Sequence, residues 1–169
     1  NTSRVELQTA VTVAFARSPM VLAMEAWDIQ QLSRGRFGLG LGTQWPDHSE
    51  QRFSVSWAAP VPRMREYVQC LRAVWDTFQH GTAPGFLGKH YRFQLMTPAY
   101  NPGPIDYPRP KIYIGAGRPA MSRLAGELAD GIPYVRVTDK YMRHVILPNV
   151  KAGLERSGRT WDDIEITAS

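Results

Sequence analysis

Apolar and polar residues repeat along this chain in two different periods, and the two periods follow one another in a regular order. Short runs rich in valine, isoleucine, threonine or glycine predict strands, and longer stretches with apolar residues every three or four positions predict amphipathic helices. The predicted strands cover residues 4–14, 36–42, 111–115, 131–137 and 163–167. The predicted helices cover residues 19–33, 61–79, 119–129 and 139–157, the last with a new segment or a kink at Pro148.

The first helix has clear start and stop signals. Ser18 can cap the helix and Pro19 takes its first position, where a missing N–H costs nothing. Gly35 supplies a left-handed stop before the next strand.

Glycine occupies every second position of the strand 36–42. Gly38, Gly40 and Gly42 alternate with larger apolar residues, so one face of this strand carries no side chains. Something must approach that backbone closely, and the sequence leaves open whether facing strands or a ligand does so.

Residues 80–109 interrupt the alternation with many glycines and prolines and one short predicted strand at 89–94. A connection this long is usually functional or an insertion, and we interpret it as an excursion over the open end of the sheet.

The order of elements is β-α-β-α, the excursion, and then β-α-β-α-β, which predicts a parallel sheet. Five strands and four helices do not close a barrel of eight, but they suit the middle of a (β/α) barrel. The alternative is an open doubly wound sheet, which would be complete at this length.

Composition is that of an ordinary globular chain, with 169 residues, 43% apolar residues and a net charge of +5. The positive charges are scattered and do not alternate with aromatic residues, so we predict no nucleic-acid partner. No apolar run has the roughly 18 residues that span a bilayer, and we predict no membrane partner. Cys70 is the single cysteine; we predict a small buried hydrophobe and a reduced, cytoplasmic setting.

Two apolar runs end in glycines, at residues 36–43 and 110–117. The second leads into a helix that begins at Pro119. Backbone N–H groups at such a junction suit the phosphate of a nucleotide-like cofactor. The four histidines are far apart and the acidic residues show no metal-ligand spacing, so no metal site is predicted.

Most of the chain resembles the luciferase-like family of flavin and deazaflavin oxidoreductases. The matching segments, in order, are TAVTVA at 9–14, SPMVLA at 18–23, GRFGLGLGT at 35–43, RMREYVQCLR at 63–72, FLGKHYRF at 86–93, PKIYIGAG at 110–117 and LAGELADG at 124–131. Members of this family are (β/α)8 barrels of roughly twice this length. The resemblance implies that residues 1–169 are a fragment of one such barrel, from about its third strand to the start of its seventh, with the excursion at 80–109.

The resemblance also implies where a cofactor binds. In the family the third strand carries a backbone bulge, often with a cis peptide bond, that supports the cofactor ring from behind. The matching residues are Ala10 and Val11, with Thr12 beside them.

A second group of implied cofactor residues follows the strand 36–42. Thr43 matches the threonine of the family's Gly-Thr-Gly segment and could contact a ribityl or phosphate oxygen, whereas Gln44 stands where glycine is usual. His48 falls where the family often has a polar residue near the cofactor, although a surface histidine is an equally simple reading.

The main phosphate site is predicted at Gly115, Ala116, Gly117 and Arg118, where glycine permits close approach and Arg118 adds a charge. Met121 lies one turn into the following helix and is either a contact of the ring edge or a core residue.

The function implied by the resemblance is hydride transfer to or from the deazaflavin coenzyme F-420, or FMN-linked monooxygenation, on a small organic substrate. A homo-oligomer is expected for the full-length protein, and the isolated fragment is expected to be inactive. The catalytic residues remain unassigned. Two alternatives are a small α/β binding module without catalysis and a family relative that has lost its cofactor. Trp45, Trp57 and the excursion are candidates to line a substrate pocket.

Overall fold

Strands and helices alternate in the fold as the two periods predict. The computed structural model describes residues 3–133 and 136–167. The helices are α1 (Pro19–Leu32), α2 (Pro60–His80), α3 (Pro119–Leu128), α4 (Asp139–Tyr141) and α5 (Leu147–Ser157). The strands are β1 (Leu7–Gln8), β2 (Thr12–Val13), β3 (Phe37–Gly42), β4 (Phe86–Leu87), β5 (Arg92–Phe93), β6 (Lys111–Ile114), β7 (Gly131–Ile132) and β8 (Glu165–Ile166).

Six of these strands form one sheet in the order β1-β3-β6-β7-β8, with β2 also paired to β3. The pairs β2–β3, β3–β6, β6–β7 and β7–β8 are parallel. Leu39 lies opposite Ile112, and Tyr113 lies opposite Gly131. The parallel sheet predicted from the alternation is confirmed.

Local capping signals are also confirmed. The Ser18 hydroxyl accepts the N–H of Val21 at 3.2 Å, and Gly35 has a φ of +81° just beyond α1. Pro148 lies in the first turn of α5, which follows α4 and a π-helical turn at Met142–Ile146. The predicted helix 139–157 is therefore three successive helical pieces.

Several predicted strands are shorter than their sequence patterns. The run 163–167 is a strand only at Glu165–Ile166, because Asp163 ends a short 3-10 turn at Trp161–Asp163. The run 4–14 is divided into β1 and β2, and the peptide bond between Ala10 and Val11 is cis. The run 131–137 is a strand only at Gly131–Ile132, and residues 134 and 135 lie outside the described residues. The loop after β3 contains a π-helical turn, His48–Arg52, that the sequence pattern did not predict.

The chain divides into two compact units. The first comprises the chain up to Leu7, Ala14–Phe37 and Gln44–Pro110; the second comprises Gln8–Val13, Gly38–Thr43 and the chain from Lys111 onward.

The core of the first unit lies between α1 and α2. The rings of Trp27 and Phe78 meet edge to face at 5.7 Å, and the Trp75 indole donates to the Ala23 carbonyl at 3.0 Å. Cys70 is buried in α2, as predicted, and burial raises the pKa of its thiol to about 11. At neutral pH this thiol is protonated and unreactive.

The second half of the excursion is bound to the C-terminal ends of α1 and α2. The Trp27 indole donates to the Gly103 carbonyl at 3.1 Å. The buried Gln30 amide donates to the Pro108 carbonyl at 2.7 Å and accepts the N–H of Phe37 at 3.0 Å. Residues 103–108 are held by the indole of Trp27 and the side-chain amide of Gln30, so their position could not be predicted from glycine and proline content.

The first half of the excursion, the β4–β5 hairpin, is held near the start of α2 by Glu66. One carboxylate oxygen accepts the N–H of Lys89 at 3.0 Å, and the other accepts those of His90 and Tyr91 at 2.6 and 3.2 Å. Burial favours the protonated acid, but the three N–H donors outweigh it and hold the pKa of Glu66 below its ordinary 4.5. The hairpin therefore depends on an ionised carboxylate.

Acidification is expected to loosen this hairpin before it unfolds the helices. Because the pKa of Glu66 is lower in the folded protein, its stabilising effect is complete above about pH 4.5 and is lost as the pH falls through the folded pKa. At pH 7, Glu66→Gln should raise amide exchange in residues 86–93 about fivefold, equivalent to about 1 kcal/mol, because an amide nitrogen cannot accept these bonds.

Hydrogen–deuterium exchange of the full-length protein measures this effect. Glu155→Gln replaces an exposed glutamate on α5 and should leave residues 86–93 unchanged. Equal exchange of the hairpin in Glu66→Gln and the unmodified protein would contradict the assignment.

In the second unit, α3 and α5 pack through their backbones. A Cβ on Gly126 would overlap the Val150 carbonyl oxygen, and a Cβ on Gly153 would overlap the Arg123 carbonyl oxygen.

No helix among residues 3–133 and 136–167 is long and apolar enough to cross a membrane.

Candidate cofactor site at the strand ends

The glycine face of β3 is occupied by neighbouring protein groups. A Cβ on Gly38 would lie 2.8 Å from the Tyr113 ring, and a Cβ on Gly40 would overlap the Thr9 carbonyl oxygen. A Cβ on Gly42 would overlap the Val11 side chain. Of the two possibilities left open by the sequence, facing strands account for the alternating glycines.

Thr9 binds the middle of β3 through its side chain. Its hydroxyl accepts the N–H of Gly40 at 2.9 Å and donates to the carbonyl of the same residue at 3.0 Å. The hydroxyl thus takes the place of a strand partner at Gly40, which divides the predicted strand 4–14 into two short ones.

Val11 lies at the carboxyl ends of the adjacent parallel strands β3 and β6. Its Cγ2 faces Gly42 at the end of β3, and its Cγ1 is 3.7 Å from the place of a Cβ on Gly115, which follows β6. Val11 is 38% exposed, because its neighbours Gly42 and Gly115 have no side chains to cover it. The structure therefore brings together Val11, at the predicted bulge, and Gly115, at the predicted phosphate loop, within one unit.

The Tyr113 ring occupies the sheet below this point. It lies against Gly38 and Gly131, and its hydroxyl donates to a Glu165 carboxylate oxygen at 2.6 Å. Lys111 also pairs with Glu165, and the hydrogen bonds from Lys111 and Tyr113 hold the pKa of that carboxyl below its ordinary value. The Tyr113 ring therefore covers the amino end of the face on whose carboxyl end Val11 lies.

The loop Gly115–Arg118, here called the glycine loop, joins β6 to α3. Its first N–H, on Gly115, continues the sheet by donating to the Leu41 carbonyl at 2.8 Å. Ala116 is buried, whereas Gly117 and Arg118 are exposed. Arg118 is the residue that precedes α3, and its guanidinium has no acceptor atom with which to cap the first turn. N–H groups and a positive charge make this donor set suitable for a phosphate.

The remaining predicted residues of the second unit lie near these elements in the chain. Thr12 is paired in register with Leu41, and Ala10 is exposed beside Val11. Thr43 directly follows β3 and is half-buried. Met121 is only 7% exposed in α3. Their contact with a cofactor stays a prediction.

Gln44 and His48 belong to the first unit. Gln44 has a φ of +59°, a conformation that glycine adopts readily, and its carbonyl accepts the Trp57 indole N–H at 3.1 Å. The left-handed backbone gives a physical reason for the glycine usual there in the family. His48 is exposed at the start of the π-helical turn. A cofactor role for either residue stays a prediction.

Three polar residues of this region were not predicted from the sequence. Thr9 binds Gly40, whereas the hydroxyls of Ser122 and Tyr141 bind carbonyls of the glycine loop. Ser122 lies one turn into the helix that follows a glycine-ended strand. A serine at that position is a sequence signal for a buried side chain that binds the preceding loop. Tyr141 is distant in sequence and gives no such signal. Among the described residues, no group of His, Cys, Asp and Glu could hold a metal ion.

Known structures with the same arrangement define the class of this fold. An F420-dependent secondary alcohol dehydrogenase, solved with an F420-acetone adduct, superposes with a TM-score of 0.79 at 20% identity and covers 97% of this chain and 48% of its own. The chain has the fold of a partial (β/α)8 barrel, as predicted.

The luciferase-like monooxygenase family matches residues 1–169, and the chain belongs to this family. An uncharacterized protein of Mycobacterium tuberculosis is 45% identical over 99% of this chain and 49% of its own length. An F420-dependent glucose-6-phosphate dehydrogenase of Nakamurella multipartita is 32% identical over 97% of this chain and 47% of its own length. The chain spans about half the length of the curated relatives it matches.

Proposed function

We propose that the full-length protein is an oxidoreductase that binds coenzyme F-420 and transfers a hydride between it and a small organic substrate. Support comes from the family and from relatives whose names specify F420 dependence. The observation that carries the proposal is the position of Val11 over Gly42 and Gly115, at the carboxyl ends of β3 and β6 and beside the glycine loop. Carboxyl ends of barrel strands are where such enzymes bind their ligands.

The residues of this region fit a planar cofactor with a phosphate. Gly42 and Gly115 make room for the Val11 side chain at the strand ends, and Val11, 38% exposed, offers an apolar surface to a flat ring. The glycine loop offers backbone N–H groups, and the exposed Arg118 offers a guanidinium for a charge-assisted contact. Bound there, the deazaflavin would supply the electron pair for hydride transfer, a reaction in which the protein orients the reactants and excludes water.

Each residue then has a defined task. Val11 supports one face of the ring, which leaves the opposite face for the substrate. The glycine loop fixes the phosphate end of the cofactor. Holding the ring at Val11 and the phosphate at this loop sets the orientation that a hydride transfer requires. The net charge of +5 favours an anionic cofactor over distance.

FMN-linked monooxygenation is the second candidate, favoured by the family's own description. The site offers the same phosphate and ring contacts to both cofactors. A non-catalytic binding module is disfavoured because relatives in the family are named as oxidoreductases. A homo-oligomer and a cytoplasmic location stay predictions.

Titration of the full-length protein with F-420 and with FMN, followed by fluorescence, tests the proposal. We expect F-420 to bind more tightly, and Gly117→Asp to weaken binding at least tenfold, equivalent to about 1.4 kcal/mol, because a carboxylate would repel the phosphate.

Gly85→Asp is the control, since position 85 lies in a loop of the first unit where a Cβ would make only an ordinary contact, at 3.8 Å, with the Ala83 carbonyl oxygen. It adds the same charge and should bind the cofactor like the unmodified protein. Tighter binding of FMN would favour monooxygenation. Binding of neither cofactor, or equal affinity in Gly117→Asp, would overturn the assignment of the glycine loop.

A further inference from the structure

Hydroxyl groups from two different elements hold the carbonyls of the glycine loop. The fully buried Ser122 hydroxyl lies 2.9 Å from the Ala116 carbonyl oxygen and 3.0 Å from that of Arg118. The Tyr141 hydroxyl donates to the Gly117 carbonyl at 3.3 Å. Two hydroxyl protons thus serve the loop: the Ser122 proton lies within reach of the Ala116 and Arg118 carbonyls, and the Tyr141 proton binds the Gly117 carbonyl. The Arg118 carbonyl also accepts the N–H of Ser122 at 2.9 Å, which leaves the Ser122 hydroxyl for Ala116.

Because each peptide group is planar, the direction of a bound carbonyl also sets the direction of the N–H group of the next residue. In a trans peptide, the carbonyl of one residue and the N–H of the next point in opposite directions. The Ala116 carbonyl points toward Ser122, so the N–H of Gly117 points away from Ser122. The Gly117 carbonyl points toward Tyr141, so the N–H of Arg118 points away from Tyr141. Each hydroxyl thus fixes the direction of one loop N–H.

Tyr141 is itself held in place by short-range contacts. The Thr138 hydroxyl accepts the N–H of Tyr141 at 3.2 Å and so caps α4. Asp139 and Arg143 form an ion pair across the same turn, with nitrogen–oxygen distances of 2.8 and 3.0 Å. The Tyr141 ring is half-buried. The cap fixes the backbone at Tyr141, from which the half-buried ring carries the hydroxyl to the glycine loop.

We propose that Tyr141 is a positioning residue for the phosphate ester of the cofactor, acting through the peptide between Gly117 and Arg118. The inference rests on the proposed function, because it assumes that the glycine loop binds the phosphate. Tyr141 touches neither the ring nor the phosphate; its hydroxyl orients an N–H donor. Ser122 has the same role for the N–H of Gly117. Tyr141, at the end of α4, thereby supports the cofactor site.

Tyr141→Phe tests this proposal because it keeps the ring and removes only the hydroxyl. In the full-length protein we expect three- to tenfold weaker binding of F-420 and an unchanged thermal midpoint. Binding of the phosphate-free deazaflavin riboside should be unchanged, since it has no phosphate to orient. The same comparison can be made with FMN and riboflavin. A purely structural role of Tyr141 would not separate the two ligands.

Tyr100→Phe is the matched control, because Tyr100 is 70% exposed in the first unit. It should bind all ligands like the unmodified protein. Ser122→Ala should repeat the selective loss for the phosphate-bearing ligand. If the unmodified protein binds F-420 and Tyr141→Phe binds it equally well, the inference is overturned and the proposed function stands. Equal weakening of both ligands also overturns it. If the unmodified protein binds neither F-420 nor FMN, the proposed function fails and takes the inference with it.

Discussion

Gly40→Ala is expected to lower the free energy of unfolding of the full-length protein by about 3 kcal/mol or more. A Cβ at this position would overlap the Thr9 carbonyl oxygen. Both groups are fixed to the main chain, so no side-chain rotation can relieve the overlap. Separating the strands would also break the two hydrogen bonds between the Thr9 hydroxyl and Gly40. Urea denaturation measures the loss.

Gly115→Ala is the matched control on the neighbouring strand. Its Cβ would lie 3.5 Å from the Leu41 carbonyl oxygen and 3.7 Å from Val11, which are ordinary contact distances. We expect stability within about 0.5 kcal/mol of the unmodified protein, together with weaker cofactor binding if the proposed site is correct. Equal stability of Gly40→Ala and Gly115→Ala would show that Thr9 does not require glycine opposite it.

The second large effect is expected at the crossing of α3 and α5. In an exposed helix, replacing glycine by alanine stabilises by about 1 kcal/mol. At Gly126 and Gly153 we expect alanine to destabilise the fold instead, because each Cβ would overlap a carbonyl oxygen of the opposite helix. We expect a net loss of about 2–3 kcal/mol for Gly126→Ala and for Gly153→Ala, measured by urea denaturation.

The double variant should lose less than the sum of the two single losses, because the first alanine already separates the helices. Gly85→Ala controls for the change in the unfolded chain, since its Cβ would meet only ordinary contact. A stabilising effect of either helix substitution would contradict close backbone packing between α3 and α5.

Elements with local causes were predictable from the sequence. α1 begins at Pro19 after the Ser18 cap and is followed by Gly35 in the left-handed conformation, as the residue types indicate. The parallel order of β3, β6 and β7 follows from the alternation of strands and helices. The π-helical turn at His48–Arg52 was not predictable, because its residues have no helical apolar period.

The candidate site was predictable only in part. The resemblance named Val11 and the glycine loop as candidates, but it did not name the distant residues that contact them. Thr9 reaches Gly40 across 31 positions of the chain, and Tyr141 reaches Gly117 across 24. Contacts of such sequence separation follow from strand register and helix placement, which no local pattern specifies.

By itself, the sequence determined the order of strands and helices, the family and the glycine-ended strands, because these depend on residue type, period and motif order along the chain. Only the tertiary structure decided which groups lie against the glycines. In β3 these groups are the Thr9 carbonyl and Val11, and at Gly126 and Gly153 they are carbonyl groups of the opposite helix. The reason is physical. A glycine in the sequence indicates that another group packs closely against the backbone. That group comes from a distant segment, whose position is set by packing.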